Sequence, residues 1–500
     1  MPSLTSEERS FFSLVQEATA ANPFSEARKQ LDLKITGRYD QVHSQRKIDE
    51  VIHEVGRRID QLEKKKCCNI KRFKGRDREL VQGALLFHTF HRFIPQLDRL
   101  ITEQFEQPDT NLAVPFAETA LHELETFGFS VQQARRYFEL FFQMRRAFFF
   151  IEHNIVGRSA CMIKLRERLW NNVFTHNLDM YDAYLWNRME DFSTLILGPT
   201  GAGKGTAATA IGCSGYIPFD AKTGRFRENF RQAFISLNLS QFSETLIESE
   251  LFGHKKGAFT GAVENYQGVF DRCSPFGSIL LDEIGEVSEA IQIKLLQVLQ
   301  ERTFVPVGDH KQRRFSGRVI AATNRPMAQI RQDHILRDDF FYRLCSDVIA
   351  VPSLAQRIRQ DHRELKDLVS HTVSRIVGNS SPELADQLHR HVADQLGHDY
   401  PWPGNVRELE QCVRRLLLNK SYKPFALDKP QSLNAYLQQN LSEGTLDLQD
   451  LIGGYCYLLY QRYGTYEAVA QTTCLDRRTA KKHVAQGRKQ YGHLSVETQG

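Results

Sequence analysis

The sequence contains no pair of cysteines in the CxxC spacing that zinc sites and redox motifs use, and its nine cysteines are scattered. It also lacks a long apolar run. The most apolar stretch, residues 138–151, is interrupted by Glu139, Arg145 and Arg146, so no segment approaches the roughly 20 apolar residues that span a bilayer. The first residues, MPSLTSEERSFF, hold no apolar signal core. We therefore expect a cytoplasmic protein with reduced thiols and no membrane span.

Composition and charge limit the class of protein further. Five hundred residues are too many for one hydrophobic core, and a prior of roughly 150 residues per domain suggests about three units. With 41% hydrophobic and 25% charged residues, the chain is neither collagen-like, mucin-like nor wholly disordered. The net charge is only +5, but residues 476–500 hold six Lys or Arg against two acidic residues. The basic excess is therefore C-terminal.

Hydrophobic periodicity predicts several regions along the chain. Residues 1–155 show apolar and aromatic residues at three-to-four spacing, which predicts an independent helical regulatory or sensory domain whose signal no motif identifies. Residues 156–425 alternate short apolar runs with longer amphipathic segments, which is typical of an α/β domain with a parallel sheet covered by helices. Residues 426–445 are predicted to be a linker, and residues 446–500 a compact helical domain.

A glycine-rich loop stands between a predicted strand and a predicted helix in STLILGPTGAGKGTAATAIG. This is the context of a P-loop, in which backbone N–H groups and a helix N-terminus face a polyphosphate and a lysine supplies a cation. Gly205 stands where the pattern has Ser or Thr, so the usual hydroxyl ligand of Mg²⁺ is missing. The predicted nucleotide-binding residues are Gly198, Pro199, Thr200, Gly201, Ala202, Gly203, Lys204, Gly205 and Thr206.

An acidic pair, Asp282 and Glu283, ends a second apolar strand that begins at Ser278. Asp282 can hold the hydration shell of Mg²⁺, and Glu283 can orient and deprotonate an attacking water. Such a pair is common at strand ends in general. After a P-loop at this separation, it predicts an NTPase.

Between these two motifs lies ESELFGHKKGAFTGA, residues 248–262. Here the chain resembles the AAA+ activators of sigma-54 RNA polymerase, the bacterial enhancer-binding proteins. The resemblance extends over about residues 155–417 and includes AATN, LRDDFFYRL and WPGNVREL. It implies an AAA+ α/β domain with a helical lid, ATP and Mg²⁺ as cofactors, a hexameric ring, and the sigma-54 RNA polymerase holoenzyme as partner. The family usually has Glu after the P-loop lysine, so Gly205 is a departure here too.

The hexapeptide GAFTGA has a glycine on each side of Phe259 and Thr260, which predicts a flexible loop with an exposed aromatic tip that meets a partner. The resemblance implies that this loop contacts sigma-54 and moves with the nucleotide state. The residues of the loop are Gly257, Ala258, Phe259, Thr260, Gly261 and Ala262.

Further roles are implied by the resemblance, residue by residue. Asn238 matches an asparagine that restrains the catalytic glutamate, and Asn324 in AATN resembles the first sensor, close to the γ-phosphate. Arg337 and Arg343 in LRDDFFYRL look like arginine fingers that reach the nucleotide of a neighbouring subunit. Arg407 in WPGNVREL looks like the second sensor, on the lid.

The C-terminal segment has apolar residues spaced as in a helix-turn-helix, with Asp476 as N-cap of the second helix. It resembles the Fis-type domain that ends many of these activators, which implies binding to a palindromic double-stranded DNA element upstream of a promoter. Four basic residues suit phosphate and major-groove contacts: Arg477, Arg478, Lys481 and Lys482. A basic helical hairpin with no DNA role is the alternative, because Gly453 and Gly454 interrupt the preceding helix.

Two other functions stay open at this point. The chain could use nucleotide only as a switch, regulating from DNA without remodelling, and Gly205 favours this alternative. It could also be an AAA+ remodeller of some other protein or nucleic acid. Phe259 and Thr260, both present, favour the sigma-54 activator over both. Residues 213–234 are longer than expected between the P-loop helix and the next strand, and no function follows from them.

Overall fold

A computed structural model of the chain describes residues 2–37, 44–397, 400–419, 422, 433–443 and 446–491. The chain divides into two compact units, Met1–Lys420 and Ser421–Gly500, which are described separately. Across the ranges just given, no helix is both long enough and apolar enough to cross a membrane.

The first unit begins with seven helices. They are α1 (Ser6–Ala20), α2 (Glu26–Thr36), α3 (Ser44–Lys64), α4 (Gly75–Arg92), α5 (Ile94–Glu106), α6 (Ala117–Thr126) and α7 (Val131–Asn154). Complete capping boxes start α1 at Thr5 and α7 at Ser130, where the cap side chain and the third helical residue satisfy each other's free backbone N–H groups.

An α/β region follows. Its elements are α8 (Ala160–Phe174), α9 (Leu178–Met180), β1 (Thr194–Leu197), α10 (Lys204–Gly212), β2 (Phe219–Asp220), β3 (Arg225–Phe226), β4 (Phe234–Asn238), α11 (Glu244–Phe252), α12 (Val269–Arg272), β5 (Ser278–Asp282), α13 (Glu289–Glu301), β6 (Thr303–Phe304), β7 (Arg313–Arg314), β8 (Arg318–Thr323), α14 (Met327–Gln332), α15 (Asp338–Leu344) and β9 (Asp347–Ala350).

Five of these strands form one parallel sheet in the order β4-β5-β8-β1-β9, which confirms the predicted α/β architecture. Every residue of β8 is buried, as expected for a central strand covered on both faces. The register places Asn238 opposite Asp282 and Leu197 opposite Thr323. The carboxyl ends of four neighbouring strands therefore meet at one edge of the sheet.

Four helices follow the sheet, as predicted for a lid: α16 (Leu354–Gln360), α17 (Arg363–Val377), α18 (Pro382–Leu396) and α19 (Asn405–Asn419). A buried ion pair joins the first two, with Arg357 Nη2 2.8 Å from Glu364 Oε2. The other oxygen of Glu364 accepts hydrogen bonds from the backbone N–H groups of Arg158 and Ser159, at 2.7 and 2.6 Å. This carboxylate ties the lid to the segment that precedes α8.

The expected independence of residues 1–155 is wrong. Six consecutive residues of α7, from Phe138 to Gln143, are buried, so the helix is covered on all sides. It packs against α5 and α6 of the N-terminal region and against α8 and α10 of the α/β region. One hydrophobic cluster runs without a break from the N-terminal helices into the α/β region. Periodicity alone could not reveal this, because it detects a buried helix without identifying its neighbours.

Residues 213–234, to which the sequence assigned no function, form the contact with α7. Glu139 accepts a hydrogen bond from the backbone N–H of Phe219 at 2.9 Å, Gln143 donates to the carbonyl of Ser214 at 3.0 Å, and Arg146 donates to the carbonyl of Cys213 at 3.0 Å. These three α7 side chains lie about one helical turn apart. The extra length of the segment is therefore structural.

The second unit has four described helices: α20 (Leu433–Glu443), α21 (Leu448–Tyr463), α22 (Tyr466–Thr473) and α23 (Arg477–Tyr491). Helix α20 lies within the segment predicted to be a linker, and the rest of that segment, residues 426–432 and 444–445, lies outside the described residues. As predicted, Asp476 caps the last helix, with its Oδ1 accepting from the N–H of Thr479 at 3.0 Å.

The two glycines of α21 do not interrupt it. Helix α21 crosses α23 closely where Gly453 of α21 meets Gly487 of α23: a Cβ on Gly487 would lie 2.1 Å from the carbonyl oxygen of Gly453. A Cβ on Gly454 would likewise lie 2.7 Å from the side chain of Leu437. The helix-propensity cost of glycine is offset here by contact between helices, which the sequence pattern could not indicate.

Candidate functional site

The glycine-rich loop connects β1 to α10, and Lys204 is the first residue of that helix. Gly201 and Gly203 have φ values of +77° and +107°, which side chains disfavour, so the loop depends on glycine at both positions. The first N–H groups of α10 have no partner within the helix and carry its positive dipole end. The loop thus has the geometry of an anion-binding P-loop.

Lys204 is 7% exposed, and its Nζ donates to the carbonyl oxygens of Gly198 at 3.0 Å and Pro199 at 3.5 Å. Burial lowers the pKa of this amine, while the charges of Glu283 and Asp282 act in the opposite direction. The only side-chain hydrogen bonds of this cation are therefore to its own loop, among the residues described. A phosphate group would give this ammonium a negatively charged acceptor in place of the neutral carbonyl oxygens.

The acidic pair lies at the end of β5, as predicted. Asp282 Oδ1 accepts the backbone N–H of Glu283 at 3.0 Å, and Glu283 itself has left-handed backbone angles, φ 56° and ψ 45°. The Oε2 atom of Glu283 is buried and has no hydrogen-bond partner within the described chain. A buried carboxylate oxygen without a partner is costly, so this atom is poised to bind water or a cation.

The two predicted asparagines end the strands on each side of β5. Asn324 follows β8, and its Nδ2 donates to Thr200 Oγ1 in the P-loop at 3.3 Å. Asn238 ends β4, but its Oδ1 accepts from the N–H and hydroxyl groups of Ser240 at 3.1 and 2.8 Å. Among the hydrogen bonds of the described residues, none joins Asn238 to Glu283, so its restraining role stays a prediction.

The lid meets the P-loop through Asn405, a residue that the sequence reasoning missed. Its Nδ2 donates to the carbonyl of Thr200 at 3.0 Å, and its Oδ1 accepts the N–H of Leu354 at 2.8 Å. The next N–H group, of Val406, donates to the carbonyl of Gly201 at 3.1 Å. An Asn directly after glycine at a helix start was the available signal. Arg407, the predicted second sensor, is exposed beside this contact.

The two predicted finger arginines lie away from the P-loop, at α15. Arg337 forms ion pairs with Glu289 and Asp339, at 2.5 and 3.0 Å. Arg343 donates from Nε to the carbonyl of Leu299 near the end of α13 at 2.9 Å. A role at the nucleotide of another subunit stays a prediction for both.

The GAFTGA loop folds back on itself: the N–H of Gly257 donates to the carbonyl of Ala262 at 2.8 Å. The expectation of an exposed aromatic tip is wrong. Phe259 is half-buried and its ring lies edge-on to that of His254, with centroids 4.9 Å apart. His254 is itself fixed by Ser249, whose hydroxyl lies 2.7 Å from its Nδ1. The exposed tip consists of Thr260 and Gly261.

The residues beside the P-loop suit a hydrated Mg²⁺. Asp282 and the unpartnered Glu283 oxygen supply hard carboxylate donors. Gly205 is exposed and offers no oxygen from its side chain, and Thr206 is exposed as well. In the part of the chain that the structure describes, no group of three or more His, Cys, Asp or Glu could hold a metal by protein ligands alone.

Comparisons with known proteins agree with this geometry. Residues 178–350 match the Sigma-54 interaction domain, and residues 359–445 match the AAA+ ATPase lid domain. The first match includes the P-loop, the GAFTGA loop and the acidic pair, and the second follows it directly along the chain. The lid match extends beyond residue 425, where the sequence placed the end of this region.

Curated relatives match the same part of the chain. The nitrogen fixation protein VnfA of Azotobacter vinelandii is 36% identical over 53% of this chain and 44% of its own. The regulatory protein AtoC of Escherichia coli (strain K12) is 35% identical over 53% of this chain and 54% of its own. The DNA-binding transcriptional regulator NtrC of Azospirillum brasilense is 36% identical over 48% and 45%. The chain spans about half the length of these relatives.

Two glycines of the P-loop should differ in their tolerance of a side chain. A Cβ on Gly201 would lie 2.3 Å from the carbonyl oxygen of Gly404, whereas a Cβ on Gly205 would meet nothing within 4 Å. We expect Gly201→Ala to lower the free energy of unfolding by about 1–3 kcal/mol through overpacking and backbone strain. Gly205→Ala should leave it unchanged or raise it by up to about 1 kcal/mol.

Thermal unfolding of the two variants beside the wild type measures this difference. The matched substitution at Gly205 controls for adding a methyl group to the same loop. Equal midpoints for both variants would contradict the contact between the P-loop and the start of α19.

Proposed function

We propose that this chain is a sigma-54-dependent transcription activator that hydrolyses ATP in a ring-shaped homo-oligomer, hexameric when active. It would bind DNA upstream and remodel the RNA polymerase holoenzyme to open promoters. The proposal rests on one observation: the GAFTGA loop belongs to the same compact unit as the P-loop and the acidic pair. All three lie within the segment that matches the Sigma-54 interaction domain.

ATP hydrolysis is supported by the P-loop, the acidic pair and Asn324, which lie together at the carboxyl ends of the strands. The loop N–H groups and Lys204 would hold the phosphates, and Asn324 is placed at the P-loop through Thr200. Glu283 would orient and deprotonate the attacking water, for which its unpartnered buried oxygen is available. Asp282 would hold a hydrated Mg²⁺, which neutralises phosphate charge when bound.

Nucleotide state would reach the lid and the partner loop by separate routes. The lid contacts the P-loop directly through Asn405, so closure around the nucleotide would draw α19 with it. The partner loop follows α11, and Asn238 lies between the acidic pair and that helix. We propose that release of Asn238 from Ser240 toward Glu283 accompanies the change of nucleotide state.

The tail is proposed to bind a palindromic DNA element as a paired module. Helices α22 and α23 are joined by a three-residue turn, the spacing of a helix-turn-helix. The four predicted DNA-contacting residues of α23, Arg477, Arg478, Lys481 and Lys482, are exposed. Arg477 forms an ion pair with Glu467, with Nε 2.8 Å from Oε1. Arg478 and Lys482 are therefore the stronger candidates for contact with DNA phosphates.

Replacing the exposed tip of the partner loop should uncouple hydrolysis from promoter opening. In Thr260→Ala, ATP turnover should be unchanged, because the loop lies outside the nucleotide site, and opening of a sigma-54 promoter should be lost. Both are measured in vitro on the same preparation. Glu264→Ala, at an exposed position two residues beyond the hexapeptide, is the control and should retain both activities. Normal promoter opening by Thr260→Ala would exclude the assigned role.

Arg343 should act across a subunit boundary. Turnover per subunit should rise with protein concentration, and Arg343→Ala should reduce it by about 10³- to 10⁵-fold without loss of nucleotide affinity. Lys204→Ala should instead lose affinity itself. Steady-state turnover and nucleotide titration measure the two effects, with Arg359→Ala as control for loss of an exposed arginine. Concentration-independent turnover in an active Arg343→Ala variant would contradict the ring.

DNA affinity should depend on the exposed face of α23. Arg478→Ala and Lys482→Ala should weaken binding to the upstream element and make its salt dependence shallower, because each removes one phosphate contact. Footprinting locates the element, and titration at several salt concentrations gives the slope. Arg462→Ala removes an exposed charge from α21 and should change neither. Identical slopes for all variants would assign the tail to protein contacts instead.

A further inference from the structure

The first unit contains a partly open cavity of about 470 Å³ at the end of the sheet opposite the nucleotide site. Ser278 and Arg318, the first residues of β5 and β8, line it, together with Ile211 at the end of α10. The predicted nucleotide residues occupy the other ends of the same three elements. The cavity is therefore distinct from the P-loop site, and its size is that of a small-molecule site.

Aromatic side chains form much of its wall. Trp186, Tyr216 and Phe276 line the cavity. The rings of Trp186 and Tyr216 meet edge to face with centroids 4.7 Å apart, and the guanidinium of Arg136 lies 4.0 Å from the centre of the Trp186 ring. These contacts hold the indole in place before any ligand arrives. Flat, fixed aromatic surfaces favour a planar apolar group.

One cation in the wall, Arg318, has no direct ion pair; the charge of Asp347 acts on it only at longer range, through Asn172, whose Nδ2 donates to Asp347 Oδ2 at 2.7 Å. Arg318 is 8% exposed, and its Nε and Nη2 donate to the carbonyl of Phe192 and to the side chains of Asn172 and Thr194, at 2.9, 2.8 and 3.1 Å. Within the described chain its Nη1 has no hydrogen bond, and no carboxylate lies within ion-pair distance of the guanidinium. Burial lowers the pKa of Arg318 to about 10, so it stays protonated at neutral pH.

The charge of the wall is positive overall. Arg227 adds a second, exposed cation, and Glu190 is the single acidic residue among those that line the cavity. A buried guanidinium without an ion-pair partner is costly, and its Nη1, which has no hydrogen bond within the described chain, can donate one charge-assisted hydrogen bond to a carboxylate. A negatively charged ligand would therefore relieve a cost that the folded protein already carries.

We propose that this cavity binds a small aromatic carboxylate, with the ring against Trp186 and Tyr216 and the carboxylate on Arg318. The ligand is a second one, separate from the nucleotide, and its binding does not depend on the proposed ATPase or on sigma-54. The site joins residues of the N-terminal helical region, such as Gln143, to Ser278 at the start of β5, the strand that ends at the acidic pair.

Calorimetric titration of the full chain with indole-3-acetate, with ADP present to occupy the nucleotide site, tests the proposal. We expect saturable binding, weakened at least tenfold for the neutral indole-3-acetamide, because the amide loses the charge-assisted bond to Arg318. Arg318→Gln should weaken acetate binding similarly. Since Arg318 also supports the fold, Ser316→Trp is the second variant: it places a bulky ring at a half-buried position in the wall and should abolish binding.

Lys311→Trp is the matched control, because it adds the same side chain at an exposed position of the preceding connection, between β6 and β7, outside the cavity. It should bind indole-3-acetate like the wild type. The proposal is overturned if neither indole-3-acetate nor benzoate binds saturably, if the acetamide binds as tightly as the acetate, or if Ser316→Trp retains wild-type affinity. These outcomes are separate from any failure of ATP hydrolysis, which the titration does not measure.

Discussion

The backbone of Gly201 lies against the start of α19 more closely than any side chain at position 201 would allow. Two backbone N–H groups of the lid and the amide of Asn405 bond to carbonyls of the P-loop here. Loop and lid are consequently one structure: a change in the loop on phosphate binding must be accommodated by α19. Because glycine has no side chain, Gly201 leaves room for this contact and also allows the positive φ of the loop. The proposed coupling between nucleotide and lid depends on the contact.

A second constraint acts at the far end of the P-loop helix. Helix α10 leads into residues 213–234, and polar side chains of α7 hold the carbonyls of that segment. Arg146 is fully buried there, and burial lowers its pKa to about 10. Two of its nitrogens are satisfied by backbone carbonyls, of Cys213 and Gly215. The N-terminal helices therefore support the P-loop helix directly, through specific bonds that non-polar packing alone would not provide.

What the sequence could predict was local. The P-loop, the acidic pair and the N-cap at Asp476 can be recognised from a few residues that are adjacent in the sequence, because their backbone requirements are local. The role of residues 213–234 depends on a helix some 70 positions away, and the half-burial of Phe259 depends on the orientation of His254. The glycines of α21 looked like helix breakers because their partner, Gly487, lies in another helix. Contacts between residues far apart in the sequence do not affect the spacing of residue types within a short segment, so the sequence pattern does not indicate them.

The most direct test of the central claim is open-complex formation by sigma-54 holoenzyme at a promoter that the tail occupies. The protein is supplied with ATP in one reaction and with a non-hydrolysable analogue in the other, and melted promoter DNA is detected by permanganate reactivity. The account predicts melting with ATP and none with the analogue, although both are bound. Equal melting with both nucleotides would contradict it and would favour a protein that uses nucleotide only as a switch.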